Sequence, residues 1–152
     1  MSIRRLSTAV ALAAGVLTAL PAAAQFAKPE DAVKYRKGAF TVMAAHFSRI
    51  GAVAQGRAPF DAAAVQANAD VVVTLSRLPF AGFVEGTSGT EKGSPKPIVW
   101  TQRAKFDEGA KKMQDAVVKL QTAAKSNNLD QVKAAFGEAA GTCKACHDDY
   151  RN

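Results

Sequence analysis

Two cysteines and a histidine stand close together near the end of the chain, as Cys143-Lys144-Ala145-Cys146-His147. This C-x-x-C-H spacing is typical of covalent c-type haem attachment. On a helix, cysteines three residues apart project to one face, where their thiols could add to the two vinyl groups along one porphyrin edge. The adjoining histidine would then lie beneath the ring, with its imidazole available to iron. The motif predicts one haem c per chain, bound through Cys143 and Cys146 and ligated by His147.

The positions of the methionines limit how the iron could be ligated on its other side. Met1, Met43 and Met113 all precede the motif, and five residues follow His147. We therefore expect no methionine ligand from beyond the motif. A sixth ligand must come from an earlier helix, with Met43 as the candidate, or the iron has none. The alternative for Met43 is an ordinary core residue, since methionine often fills cores at helical spacing.

Other uses of the cysteine pair fit the sequence less well. A disulfide at this spacing would close too short a loop to constrain the unfolded chain much. A zinc site would need two further ligands, and His46 is the one other histidine in the sequence. A redox-active dithiol is expected at a helix N-terminus beside a sheet, whereas this pair comes late in a helical pattern.

Residues 1–24 are predicted to be an export signal. Two arginines precede an apolar run over 6–20, and an A-x-A cleavage site follows at 22–24. Cleavage would leave one domain over 25–152 outside the cytoplasm, with its net charge lowered from +7 to +5 by loss of the two arginines. The apolar run is too short and alanine-rich for a membrane span, so no membrane partner is expected. Without a basic cluster interleaved with aromatic residues, the mild positive charge also argues against nucleic acid.

Four segments have helical periodicity, and no strand-like alternation is long enough to compete with them. Proline, acidic residues and side chains that can cap a helix stand at their starts. The predicted segments run from Pro29 to about Gln55, from Asp61 to Pro79, from near Ile98 or Trp100 to Ala124, and from Asn128 to Tyr150, with the glycine- and proline-rich stretch 85–97 as the one long loop.

Apolar residues recur along each segment in steps of three and four, the pattern of a helix with one buried face. Both cysteines fall on this face of the last segment, so the haem is predicted inside the bundle. Four such helices with mostly short links predict an all-α, antiparallel up-down four-helix bundle, in which cofactor sites form between facing helices. The predicted inward residues are Val33, Arg36, Phe40, Met43, Phe47, Ile50 and Ala54; Val65, Val72, Leu75 and Leu78; Phe106, Met113, Val117, Leu120 and Ala124; and Leu129, Val132, Phe136, Ala139, Cys143, Cys146 and Tyr150.

With these features the chain resembles the cytochromes c′ over essentially all of 25–152. The specific points of resemblance are the opening stretch Gln25-Phe26-Ala27-Lys28-Pro29-Glu30-Asp31-Ala32-Val33-Lys34-Tyr35-Arg36, the Leu78-Pro79-Phe80 turn with Phe83, the Trp100 that opens the third helix, the late C-x-x-C-H, and Arg151 four positions after its histidine.

The resemblance implies a homodimeric periplasmic haem protein. Its iron would be five-coordinate and high-spin, and would bind nitric oxide and carbon monoxide while discriminating against oxygen. The implied contacts are Cys143 and Cys146 as thioethers, His147 as proximal ligand, Arg151 near that histidine, Arg36 and Lys37 against the haem, and Phe40 capping the vacant face. Phe80, Phe83 and Trp100 could wall the haem, but an aromatic residue at a helix end is more often ordinary core.

Phe40 and Arg36 each carry a specific prediction. Family members often have leucine at the position of Phe40. A phenyl ring is bulkier, so it should obstruct the entry of ligands to the iron. It can discriminate between ligands only by their size and by excluding water. Arg36 is predicted to pair with a haem propionate, because a buried unpaired guanidinium is very costly. The alternative is an arginine that extends to solvent at the end of the bundle.

Two functions are compatible with these features. Nitric oxide capture, during denitrification or nitrosative stress, needs an open or easily opened sixth position on the iron. A periplasmic electron carrier with small redox partners is the alternative, and a saturated iron favours it. An enzyme such as a peroxidase is not expected, since the stretch around Phe40 offers no acid-base group beyond Arg36.

Overall fold

The computed structural model describes residues 25–152, and the predicted export signal lies outside the described residues. α1 packs on α2, α2 on α4, α4 on α5 and α5 on α1, so the four long helices close a ring in which consecutive helices run antiparallel. The predicted all-α four-helix bundle is confirmed. Its elements are α1 (Pro29–Ala54), α2 (Ala62–Leu75), a 3₁₀ turn (Leu78–Gly82), α3 (Ile98–Thr101), α4 (Arg103–Lys125) and α5 (Leu129–Tyr150).

Capping side chains set two of the helix starts. Asp61 Oδ1 accepts a hydrogen bond from the backbone N–H of Ala64 at 3.0 Å. The side-chain oxygen of Asn128 accepts from the N–H groups of Asp130 and Gln131 at 3.0 and 3.1 Å. Both predicted N-caps are confirmed, and each satisfies backbone donors that the helix itself leaves free.

Two helix boundaries predicted from the sequence were wrong. α2 ends at Leu75, because Pro79 has no N–H to continue the helix and disfavours helical backbone before it. The chain tightens there into the 3₁₀ turn, and Leu78 is 40 % exposed instead of facing inward. The third segment is interrupted at Gln102, whose φ and ψ are −117° and 39°. The short α3 that results directs Val99 into full burial.

Two apolar clusters form the core, and the candidate site lies where they meet. The larger one fills the bundle between the four long helices, with Ile50, Leu120 and Val132 fully buried. The smaller one groups Val99, Phe106 and Tyr150 at the end of the bundle. Apart from Leu78, every residue predicted to face inward is buried or half-buried, which confirms the periodicity.

The loop 84–97 is tied to the end of the chain. Pro95 and Arg151 form an isolated antiparallel bridge. On either side of it, the N–H of Lys96 donates to the Tyr150 carbonyl and the N–H of Asn152 donates to the Ser94 carbonyl, both at 2.9 Å. The loop therefore lies against the C-terminal end of α5. None of the helices formed by the described residues is long and apolar enough to cross a membrane.

Candidate haem-binding site

A cavity of about 540 Å³ opens between α1, α4, α5 and the loop. This volume is in the range of small-molecule and cofactor sites. Nine of the ten residues named from the sequence as cofactor contacts or walls line it, and the exception is Trp100. The nine are Arg36, Lys37, Phe40, Phe80, Phe83, Cys143, Cys146, His147 and Arg151.

The two cysteines face this cavity from α5 and form no disulfide. Burial raises the pKa of both, and the charges of Cys143 and Asp149 raise the pKa of Cys146 further. Within the described part of the chain, no cluster of three or more His, Cys, Asp or Glu side chains is placed to hold a metal ion.

His147 lies on the last turn of α5 and is exposed at the cavity wall. Partial burial lowers the pKa of its imidazole, the positive charge of Arg151 lowers it further, and Asp148 opposes them. The neutral imidazole favoured in this way has a nitrogen lone pair free for a metal. The Arg151 guanidinium lies against Gly93 of the loop, where a Cβ would be 3.2 Å from Nη2.

Two aromatic rings line the cavity beside Phe40 of α1, one from the 3₁₀ turn and one from the residue directly after it. The Phe40 ring meets the rings of Phe80 and Phe83 edge-on, with centroids 6.0 and 6.3 Å apart and interplanar angles of 81° and 79°. The rings of Phe80 and Phe83 are themselves stacked at 6.0 Å. Edge-on and offset-stacked pairs of this kind are favourable, so the Phe40 ring is held in position.

For Trp100 the alternative of an ordinary core residue is confirmed. Phe80 and Phe83 line the cavity, but Trp100 does not. It packs instead with the smaller cluster around Val99, where its Nε1 is buried without a hydrogen-bond partner. The short α3, which the periodicity did not separate from α4, carries Trp100 away from the cavity.

Arg36 is 4 % exposed, and its guanidinium binds both the 3₁₀ turn and the start of the loop. Its Nη1 donates to the Gly82 carbonyl at 2.8 Å and to Thr87 Oγ1 at 2.6 Å, and Nη2 donates to the Thr87 carbonyl at 2.6 Å. The guanidinium carbon is 5.0 Å from the centroid of the Phe83 ring. The alternative of an arginine extended to solvent was wrong. These bonds use three of the five N–H groups of the guanidinium. Pairing of the remaining two with a haem propionate stays a prediction.

Glycine is required at position 82 for this contact. A Cβ there would lie 2.6 Å from the Ala32 carbonyl oxygen and 2.8 Å from Arg36 Cβ. Because glycine lacks the Cβ, the 3₁₀ turn approaches α1 closely enough for the Gly82 carbonyl to accept a hydrogen bond from Arg36.

Burial lowers the pKa of the Arg36 guanidinium, but an arginine stays protonated in proteins.

Comparison with known proteins identifies the family. The cytochrome c′ family model matches residues 31–151. The cytochrome c′ of Alcaligenes xylosoxydans xylosoxydans is 51 % identical over 127 residues, covering 84 % of this chain and 98 % of that one. This chain belongs to the cytochrome c′ family.

Solved structures of cytochromes c′ have the same fold. A crystal structure of the Rubrivivax gelatinosus protein superposes with a TM-score of 0.79 at 47 % identity, covering 84 % of this chain and 100 % of that one. A mutant of the Alcaligenes xylosoxidans protein, determined as its nitric oxide complex, superposes with a TM-score of 0.77 at 50 % identity, covering 84 % and 98 %.

Cytochromes c′ bind haem c covalently, and this cavity fits that group. Its walls are mainly apolar, as a porphyrin face requires, with two thiols and an imidazole on one helix. Its lining includes no carboxylate and four cationic side chains, which suits a group that carries two propionates. The four are Arg36, Lys37, Lys92 and Arg151.

Several lining residues were not predicted as site residues. Met113 was predicted to face inward from its helical spacing, and it brings a second thioether to the cavity beside Met43. Lys92, Gly93 and Pro95 come from the loop, where no periodic pattern signals which residues turn toward the bundle.

Proposed function

We propose that this cytochrome c′ works in the periplasm, with an iron ligated by His147 alone, and that it binds nitric oxide and carbon monoxide to capture nitric oxide. When bound, haem c supplies an iron that coordinates diatomic gases. Cys143 and Cys146 would anchor it by thioether bonds. The lowered pKa of His147 keeps its imidazole neutral and able to ligate.

The observation that carries this proposal is the aromatic wall around Phe40. A phenyl ring offers neither a ligand to iron nor a proton to a bound gas. The nearby hydroxyl of Thr41 is occupied, since it donates to the Lys37 carbonyl at 2.7 Å. Such an apolar, dry pocket suits nitric oxide and carbon monoxide, because neither depends on a hydrogen-bond donor as strongly as oxygen does. The nitric oxide complex of the Alcaligenes xylosoxidans relative supports the proposal.

Electron transfer is the second candidate function, and one observation favours it. Met43 and Met113 both reach the cavity, so either thioether could saturate the iron. Methionine is an axial ligand in electron-transfer cytochromes. The state of the sixth position therefore separates the two functions.

We expect optical spectra of the purified protein to report a five-coordinate, high-spin iron at neutral pH, oxidised and reduced. The reduced protein should bind carbon monoxide and nitric oxide with clear spectral changes. Met43→Leu and Met113→Leu should leave the spectra of the unliganded protein unchanged, because neither sulfur is a ligand. A methionine-iron charge-transfer band in the oxidised protein, lost in either variant, would establish electron transfer instead.

Covalent attachment is expected to survive denaturation. After acid-acetone extraction the haem should stay with the polypeptide, and the intact mass should be that of the chain from Gln25 plus one haem. Cys143→Ala and Cys146→Ala should each retain a single link. Haem released from the wild type, with an unmodified chain left behind, would contradict covalent attachment. An intact mass that corresponds to a chain beginning at Met1 would contradict the export signal.

We also propose a homodimer through the outer faces of α1 and α2. Small side chains let helix backbones approach closely, and Val42 on this side of α1 is 47 % exposed. Sedimentation should find a dimer at micromolar concentration, and Ala45→Glu should weaken it. Ala104→Glu, on the exposed side of α4, is the matched control. A wild-type monomer would overturn the proposal. The alanines named from the sequence for this contact are Ala44, Ala45, Ala52, Ala63 and Ala67. Of these, Ala44 lines the cavity and so is not part of the proposed contact.

A further inference from the structure

The last turn of α5 is capped mainly by one residue of the loop, Lys96. The final four carbonyl groups of a helix have no donor within the helix. Here the His147 carbonyl accepts from the backbone N–H four residues later, at 3.1 Å. Lys96 supplies donors for the other three. Its N–H donates to the Tyr150 carbonyl at 2.9 Å. Its Nζ donates to the carbonyls of Asp148 and Asp149 at 2.9 and 3.3 Å. A cation is also favourable at this end of the helix dipole.

The loop that carries this lysine is fixed on both sides. At the chain end, the N–H of Asn152 donates to the Ser94 carbonyl at 2.9 Å, and its Nδ2 donates to the Gly89 carbonyl at 2.7 Å. At the start of the loop, Arg36 donates to the hydroxyl and the carbonyl oxygens of Thr87, both at 2.6 Å. The loop therefore holds the end of α5 in a defined position relative to α1.

The His147 ring takes its position from its own backbone. A histidine that binds a metal usually donates its second ring N–H to a carboxylate or a carbonyl, which fixes the ring. Among the described residues, the one histidine side chain with a hydrogen bond is that of His46, to Asn68. His147 is exposed and has no such partner in the described part of the chain. The placement of its imidazole therefore depends on the last turn of α5, which Lys96 caps.

We propose that Lys96 is a positioning residue for the iron ligand: by capping the last turn of α5 it holds His147 in place and slows its release when nitric oxide binds opposite. This inference rests on the proposed function, in which His147 is the one protein ligand. Nitric oxide weakens the bond on the other side of a metal, so the bond between iron and imidazole breaks with its electron pair returning to the ring nitrogen. No proton or electron is transferred. A capped turn keeps the imidazole close enough to bind again.

Amide hydrogen exchange of the haem-loaded protein tests the cap without any gas. Lys96→Met keeps the length of the side chain but removes its ammonium group. Exchange over 148–151 should become about tenfold faster, because hydrogen bonds that involve a charged group are stronger than average. Lys133→Met is the matched control, since Lys133 is exposed near the start of the same helix, where it pairs with Asp130. Unchanged exchange over 148–151 in Lys96→Met would overturn the proposal.

The rate at which His147 leaves the iron is a readout that a merely structural role would not change. The reduced protein is mixed rapidly with nitric oxide and frozen, and electron paramagnetic resonance reports the histidine nitrogen by its own hyperfine splitting while it is bound. Lys96→Met should lose His147 about three- to tenfold faster than the wild type. Lys96→Arg, which keeps a charged donor, should restore a rate near that of the wild type.

Two results of the rate measurement have different meanings. Equal rates of His147 release in Lys96→Met and Lys133→Met would overturn the proposal, even if exchange over 148–151 were faster, because Lys96 would then stabilise the helix end alone. A wild type that binds no nitric oxide would contradict the proposed function and with it this inference.

Discussion

Phe40→Ala is expected to bind carbon monoxide faster and more tightly than the wild type, by about tenfold or more. Access past a phenyl cap requires the ring to leave its edge contacts with Phe80 and Phe83. Each such aromatic contact contributes about 0.5–1.5 kcal/mol, so opening costs roughly 1–3 kcal/mol. Apparent affinity falls with the fraction of the open state, and about 1.4 kcal/mol corresponds to a factor of ten.

Stopped-flow mixing of the reduced proteins with carbon monoxide measures this gate. Phe47→Ala is the matched control, because Phe47 also lines the cavity but stacks on Phe136 at 4.6 Å, away from the Phe80 and Phe83 pair. Phe40→Leu should lie between Phe40→Ala and the wild type. Equal association rates in wild type and Phe40→Ala would show that this ring does not control entry, and equal acceleration by Phe47→Ala would show an effect of cavity volume alone.

Arg36→Met is expected to destabilise the haem-loaded protein by about 3 kcal/mol or more. The methionine fills similar space but leaves the carbonyls of Gly82 and Thr87 without their donor. A buried polar group deprived of its partner costs about 1–3 kcal/mol, and hydrogen bonds to a charged group are at the upper end. Thr87→Val removes one of the three bonds and also the bond that Thr87 Oγ1 donates to the Val84 carbonyl at 2.7 Å, so it should cost about 2 kcal/mol.

Urea unfolding, followed by haem absorbance at one fixed protein concentration, measures these differences. Arg77→Met is the control: Arg77 is exposed at the start of the 3₁₀ turn, so its loss should change the midpoint little. If Arg36 acts by fixing the loop, Arg36→Met should also increase amide hydrogen exchange over 84–97. A midpoint like that of Arg77→Met would contradict the role assigned to this guanidinium.

Features that depend on local chemistry could be predicted from the sequence by itself. The C-x-x-C-H motif predicts its cofactor because the two thiols and the imidazole lie within five consecutive residues, so their spacing depends only on the local helix. Helical periodicity predicted the buried faces because a bundle helix repeats one environment every three or four residues. Asp61 and Asn128 predicted the starts of their helices, because a capping side chain binds backbone N–H groups two or three residues away. The same periodicity placed both cysteines on a buried helix face, whereas the haem contacts of Arg36, Lys37, Phe40 and Arg151 were implied by the family resemblance.

Features that depend on contacts between distant segments were decided only by the tertiary structure. Arg36 was visible as a charge on an apolar face, but its partners are 46 and 51 residues away, and no spacing rule connects them. Lys92 enters the cavity wall because the chain end bridges to the loop at Pro95. Trp100 packs in the smaller cluster and does not line the cavity, because the helix is interrupted at Gln102. The backbone groups of a loop must find hydrogen-bond partners outside the loop, and those partners fix its conformation. Here they are Arg36 on α1 and the chain end at Tyr150 and Asn152.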